Sequence, residues 1–202
     1  MARLNKQIDT FISVNQIKKP VILVVDMVNG FVKEGALADT AIMDIVTNQK
    51  RLMDVLLCKN VFICDSHPPK TREFDSYPPH CVIGTKECDV IEELNPYIQE
   101  IVHKNSTNAF VSLEFQEFLK NIDFYRDIII VGCCTDLCIL QLGLCLQSWL
   151  NEHNMVEHRI IIPTDCVETY HIEDVHDAKT WNNMALENMK TNGITVVSSI
   201  VE

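Results

Sequence analysis

Apolar residues recur along this chain in two rhythms. The segments VILVVD (21–26), NVFICDSH (60–67), the stretch 97–103, DIIIV (127–131), HRIIIPTDC (158–166) and GITVVSSIV (193–201) are short and rich in β-branched residues. Their lack of strict alternation is the pattern of strands buried on both faces. Between them, residues 40–57, 90–94, SLEFQEFLKNI (112–122), 137–150 and 172–190 carry apolar positions at helical spacing. The opening RLNKQIDTFISVNQIKK places Leu4, Ile8, Phe11, Ile12 and Ile17 near the same spacing, which predicts an amphipathic N-terminal helical segment over 1–19, docked on the domain or on a second subunit. Residues 68–86, PPKTREFDSYPPHCVIGTK, are dense in proline and turn formers and read as a long ordered loop.

Strand and helix alternate from Pro20 onward, which predicts one α/β domain over 20–202: three α/β/α layers around a central, mainly parallel sheet of about six strands. The 202 residues are enough for one such domain with a full core.

Charge narrows the partners. A formal net charge of -11 argues against nucleic acid and anionic membranes, both bound through Lys and Arg excess, and leaves a small molecule as the expected ligand. Further copies of the chain are the other expected partner. The nine cysteines are an odd number and include neighbours at 133 and 134, and no secretory leader is read before them, so a reduced cytoplasmic protein is expected. The longest apolar runs fall far short of the roughly 20 residues a membrane helix needs.

In open parallel sheets ligands bind outside the carboxyl ends of the strands. The reactive side chains fall there: Asp26 closes the first strand, Asp65 and His67 the second, Lys104 the third, and Cys138 follows the fourth. Thr135 reads as the helix N-cap, placing Cys138 at the third helical position, where free N–H groups and the helix dipole favour a thiolate. Asp26 can serve as its base. The residues alone leave open a buried structural thiol and an ordinary Asp26–Lys104 ion pair. Asp65, His67, Glu73 and His80 supply carboxylates and imidazoles suited to zinc, and equally to iron or manganese; the alternative is a solvated polar loop.

Together these segments resemble the isochorismatase-like cysteine hydrolases, and within them the nicotinamidases. VILVVDMVNGF is similar to the family's first strand, CDSH and YPPHCVIGT to its metal-binding strand end and loop, HKNSTNAF to its lysine motif, and GCCTDLCI to its nucleophile element. The resemblance implies a catalytic triad of Asp26, Lys104 and Cys138. It further implies a cis peptide between Cys133 and Cys134, an oxyanion hole from the backbone N–H groups of Cys134 and Cys138, and substrate contacts at Phe31, Tyr77, Cys133 and Leu137. Metal ligands would be Asp65, His67 and His80, with Glu73 where some members add a carboxylate. Ser66, Tyr77, Cys134 and Leu137 depart from the residues commonest in the family, which leaves the substrate open. The expected activity is hydrolysis of nicotinamide to nicotinate and ammonia, a step of NAD salvage, with a divalent metal, Zn2+ first and Fe2+ or Mn2+ otherwise. Two alternatives are a metal-free cysteine hydrolase of the same fold acting on another small amide or carbamoyl substrate, and a non-catalytic sensor of zinc or oxidant.

Overall fold

A computed structural model describes residues 10–202. In chain order the elements are β1 (Phe11–Ser13), β2 (Val21–Val25), α1 (Asn29–Val32), α2 (Val46–Leu56), β3 (Lys59–Asp65), β4 (Glu100–Lys104), α3 (Leu113–Leu119), β5 (Asp127–Cys133), α4 (Leu140–Glu152), β6 (Arg159–Pro163), β7 (Val167–Glu168), α5 (Ala178–Thr191), β8 (Thr195–Val197) and β9 (Ser199–Val201).

The main sheet runs β4-β3-β2-β5-β6-β8, with β7 also paired to β5, and its ladders are parallel. Among the described residues it therefore has seven strands, one more than the hydrophobic runs predict. The extra one is the two-residue β7, too short to leave a periodic signal. Side chains alternate across the strands. Ile22, Val24, Phe62, Ile129 and Val131 pack with Leu52 and Met53 of α2, while Leu23, Val25, Ile63, Ile128 and Ile130 pack against α3, α4 and α5 through Phe115, Leu146 and Met189. Every residue of β2 and β5 is buried, as expected for central strands covered on both faces.

Four local expectations change. Leu4 and Ile8 of the expected N-terminal helix lie outside the described residues. Phe11–Ser13 is extended, because it pairs in parallel with Ser199–Val201, a ladder partner that outweighs the helical spacing. The last strand breaks at Ser198, whose N–H turns to the Thr10 carbonyl at 2.8 Å, so β8 extends the main sheet while β9 pairs with β1. The helix expected over 172–190 begins at Ala178, with the Asp177 side chain capping the Thr180 N–H. Finally, Cys134 and not Thr135 precedes the turn Thr135–Ile139, which is wound as a π turn, and Cys138 lies within it ahead of α4. Thr135 is instead buried as the first residue of that turn.

At the edge opposite the strand ends, Asp127 fastens the sheet. It accepts the Lys18 N–H at 2.8 Å and both Nε and a terminal nitrogen of Arg159 at 2.9 Å. Asp127→Ala leaves the Lys18 N–H and the guanidinium without that acceptor. A loss of about 2 kcal/mol of unfolding free energy is expected, to be read as a lower urea midpoint at unchanged slope.

Candidate active site

The site grows from the carboxyl ends of four neighbouring strands. Asp26 follows β2 with φ at 51°, a left-handed conformation that Asp tolerates better than most residues. Its N–H donates to the Ile63 carbonyl at 2.8 Å, and its Oδ1 accepts the Asp65 N–H at 2.9 Å, so the side chain is locked across the end of β3. The fully buried Lys104 side chain, from the end of β4, donates to Asp65 Oδ1 at 2.6 Å, lies 2.9 Å from Asp26 Oδ2 and reaches to 3.7 Å from Cys138 Sγ. The lysine is close enough to Asp26 for a charge pair, but its approach is off the hydrogen-bonding direction, which leaves Oδ2 without a hydrogen bond. The Cys138 thiol is close enough to the Asp26 carboxyl to favour its ionised form.

One ammonium between two carboxylates sets the electrostatics. Burial pushes Asp26 up to about 6, with Lys104 pulling against that and Asp65 adding to it. Burial acts the same way on Asp65, but there the Lys104 ammonium and the facing His67 and His80 imidazoles prevail and hold it well below the usual carboxylate range. Lys104 itself is held well above an ordinary lysine, because the two carboxylates outweigh its burial. Burial drives the Cys138 thiol well up, opposed by Lys104. The resting sulfur is therefore a thiol that needs a base, and the adjacent Asp26 is less acidic than a surface carboxylate.

Asp65, His67 and His80 form a second cluster. His67 lies two residues beyond Asp65 and is carried back by a bridge to the loop, its N–H on the Cys81 carbonyl and its carbonyl taking the Ile83 N–H. His80 Nδ1 donates to the Pro78 carbonyl at 2.8 Å, and His67 Nδ1 meets Asn105 Oδ1 at 2.8 Å. Both rings thus turn Nε2 towards Asp65, at 3.6 Å for His67 and 3.7 Å for His80. The buried His67 Nε2 has no hydrogen-bond partner among the described residues. Two imidazole nitrogens facing one carboxylate, with each ring fixed from behind by an acceptor, fit a divalent metal. Glu73, expected as a further ligand, does not join this cluster. Its carboxylate accepts the backbone N–H and the hydroxyl of Thr107 instead, which draws it to the cavity wall.

A cavity of about 480 Å³ opens above both clusters, lined by Cys138, Asp65 and His80 and by the expected Phe31, Tyr77 and Leu137. Phe31 and Tyr77 pack on the His80 ring, with centroids 5.5 and 6.2 Å away. Cys133 is not part of the lining. It is fully buried, and its thiol donates to the Asp26 carbonyl at 3.2 Å, because β5 turns that side chain into the core. The bond from Cys133 to Cys134 is cis, and the Cys134 carbonyl accepts the N–H groups of Leu137 and Ile139, closing the turn that carries Cys138. Sequence reasoning missed two walls: Ala36, Leu37, Ala38 and Asp39 in the loop after α1, and Tyr170, His171 and Ile172, which follow β7. The strand-end rule applied to HRIIIPTDC would have pointed to the second of these, but the apolar spacing that begins at Ile172 read as helix.

A family model described as Isochorismatase domain matches residues 20–200. Nicotinamidase 1 of Arabidopsis thaliana is 29% identical over 168 residues, which cover 74% of this chain and 66%, just under two thirds, of that protein. Among solved structures, a Pyrococcus horikoshii pyrazinamidase in complex with zinc superposes with a TM-score of 0.70 at 22% identity, over 89% of this chain and 98% of the other. A yeast nicotinamidase bound to the inhibitor nicotinaldehyde gives 0.73 at 16% identity, over 88% and 99%. At these identities the solved structures show a shared fold. No helix among the described residues is long and apolar enough to cross a membrane.

Proposed function

The chain belongs to the isochorismatase family, and from that premise we propose that it is a metal-dependent cysteine amidase that hydrolyses nicotinamide to nicotinate and ammonia, a step of NAD salvage. The observation that carries this reading is the meeting of Asp26, Lys104 and Cys138 beside the Asp65, His67 and His80 cluster. The similarity to a plant nicotinamidase supports the choice of amide.

The triad acts in two halves. Asp26 takes the thiol proton, and the Cys138 sulfur attacks the carboxamide carbon. The backbone N–H groups of Cys134 and Cys138 receive the developing oxyanion. Asp26 then returns the proton to the leaving nitrogen, the C–N bond breaks, and ammonia departs from a nicotinoyl thioester. A water that loses its proton to Asp26 adds to the thioester carbon, the C–S bond breaks, and the sulfur recovers the proton as nicotinate leaves. Lys104 holds Asp26 in place and favours its ionised form before each proton transfer. Phe31 and Tyr77 hold the flat ring between them. A divalent ion, zinc first and iron or manganese otherwise, would be held by Asp65, His67 and His80 and would supply a Lewis-acidic anchor for a ligand heteroatom in the cavity.

Ammonia release from nicotinamide by the purified protein tests the reading, with nicotinate formed in equal amount. Chelation is expected to lower kcat/KM by about tenfold or more, with recovery on adding zinc. Absence of ammonia from the metal-replete protein contradicts the choice of substrate. Unchanged turnover after verified metal removal contradicts the role of the ion and leaves the triad standing.

A further inference from the structure

The wall formed by Tyr170, His171 and Ile172 is tied to the nucleophile turn through Asp136, which holds the His176 imidazole and the hydroxyl of Thr169 just before the wall. His176 is buried and donates from Nδ1 to the Tyr170 carbonyl at 2.9 Å, while its Nε2 pairs with Asp136 Oδ2 at 2.8 Å. Asp136 stands two residues before Cys138 in the same turn, and its second oxygen takes the Thr169 hydroxyl. The backbone of His176 closes on Ile172 in both directions, N–H to carbonyl at 2.8 Å and carbonyl to N–H at 3.0 Å. The ring lies parallel to Tyr170 and to Trp181, with centroids 3.9 and 5.0 Å away, which fixes its plane. The mechanism above uses neither His176 nor Asp136.

We propose that His176 is a positioning residue: with Asp136 it latches the Tyr170–Ile172 wall of the cavity onto the turn that carries Cys138, and so sets how the amide is presented to the sulfur. The proposal rests on the amidase reading for its kinetic readout. The turn is held on its own account, packed between β5 and α4, whereas residues 170–177 form an irregular connection between β7 and α5. Loss of the latch therefore frees the wall more than the nucleophile. The latch predicts a change in substrate binding that exceeds the change in chemistry.

His176→Phe retains an aromatic ring between Tyr170 and Trp181 and removes both side-chain hydrogen bonds; Asp136→Ala removes the other half of the latch. Each is expected to raise KM for nicotinamide about tenfold, with kcat changed by less than about threefold. The double variant should match Asp136→Ala, which by itself already removes both the His176 and the Thr169 contacts of that carboxylate. Asp136→Asn, which keeps an acceptor oxygen for His176, should stay within about threefold of the parent KM, and it carries the test if the Phe variant does not fold. Backbone hydrogen exchange over residues 170–176 should quicken in His176→Phe and Asp136→Ala without regard to substrate. Unchanged exchange, a fall in kcat at constant KM, or single effects that multiply in the double variant would each overturn the latch. Quickened exchange in a protein that releases no ammonia from nicotinamide would keep the latch and remove the amidase reading instead.

Discussion

Cys138→Ala is expected to cut the turnover of nicotinamide by about 10⁴-fold or more, with the fold retained. The reason lies in what remains after the sulfur is gone. Asp26 and Lys104 stay buried and paired at 2.9 Å, and the cavity keeps Phe31, Tyr77 and the Asp65, His67 and His80 cluster, so ligand should still bind. No other thiol can substitute. Cys133 is turned into the core with its thiol on the Asp26 carbonyl, and Cys134 lines the cavity but it is to Cys138 that Lys104 donates. Far-UV circular dichroism and the urea midpoint should remain near those of the parent, since the side-chain change removes one small buried atom. A kcat within tenfold of the parent would exclude Cys138 as the nucleophile.

Gly132→Ala is expected to have the largest effect on folding. Gly132 sits in β5 at φ 118°, and a Cβ there would lie 2.0 Å from the Val25 carbonyl oxygen of the adjacent β2. Neither strand can retreat, because every residue of both is buried between helical layers. The backbone angle and the contact are both forbidden to an alanine, and the expected loss exceeds about 4 kcal/mol, a large share of the stability of an ordinary domain. Gly143→Ala is the matching control: it lies in α4, where the added methyl meets the flexible tip of Ile194 at 3.2 Å and the Met189 sulfur at 3.4 Å, both side chains that can give way. Urea denaturation of the two variants should separate them by several kcal/mol. Equal midpoints would mean that the approach of β5 to β2 is looser than the structure has it.

The sheet and its reactive rim were legible because they depend on short-range patterns. Runs such as VILVV and DIIIV announce doubly covered strands, and the parallel topology carries the reactive residues that follow their ends to one edge. Asp26, Lys104 and Cys138 lie far apart along the chain, yet the strand-end rule alone brings them to one rim. What the sequence hid depends on partners that are distant or local geometry that leaves no period. Phe11–Ser13 is extended only because Ser199–Val201 is there to pair with it. Glu73 was grouped with the metal ligands by its chemistry, but Thr107, in a different loop, claims its carboxylate. The resemblance implies a substrate contact at Cys133, while the pleat of β5 turns that side chain inward. The His176 latch joins positions 40 residues apart, and neither residue alone marks a site.

The central claim, that Cys138 carries the acyl group, is tested most directly by mixing metal-replete protein with nicotinamide, quenching in acid within the first turnovers and weighing the intact protein. The account predicts a species heavier by one nicotinoyl group less the thiol hydrogen, located on the peptide that contains Cys138 and absent from Cys138→Ala. Turnover with no such species under conditions that slow thioester hydrolysis, or the adduct on another residue, would contradict it.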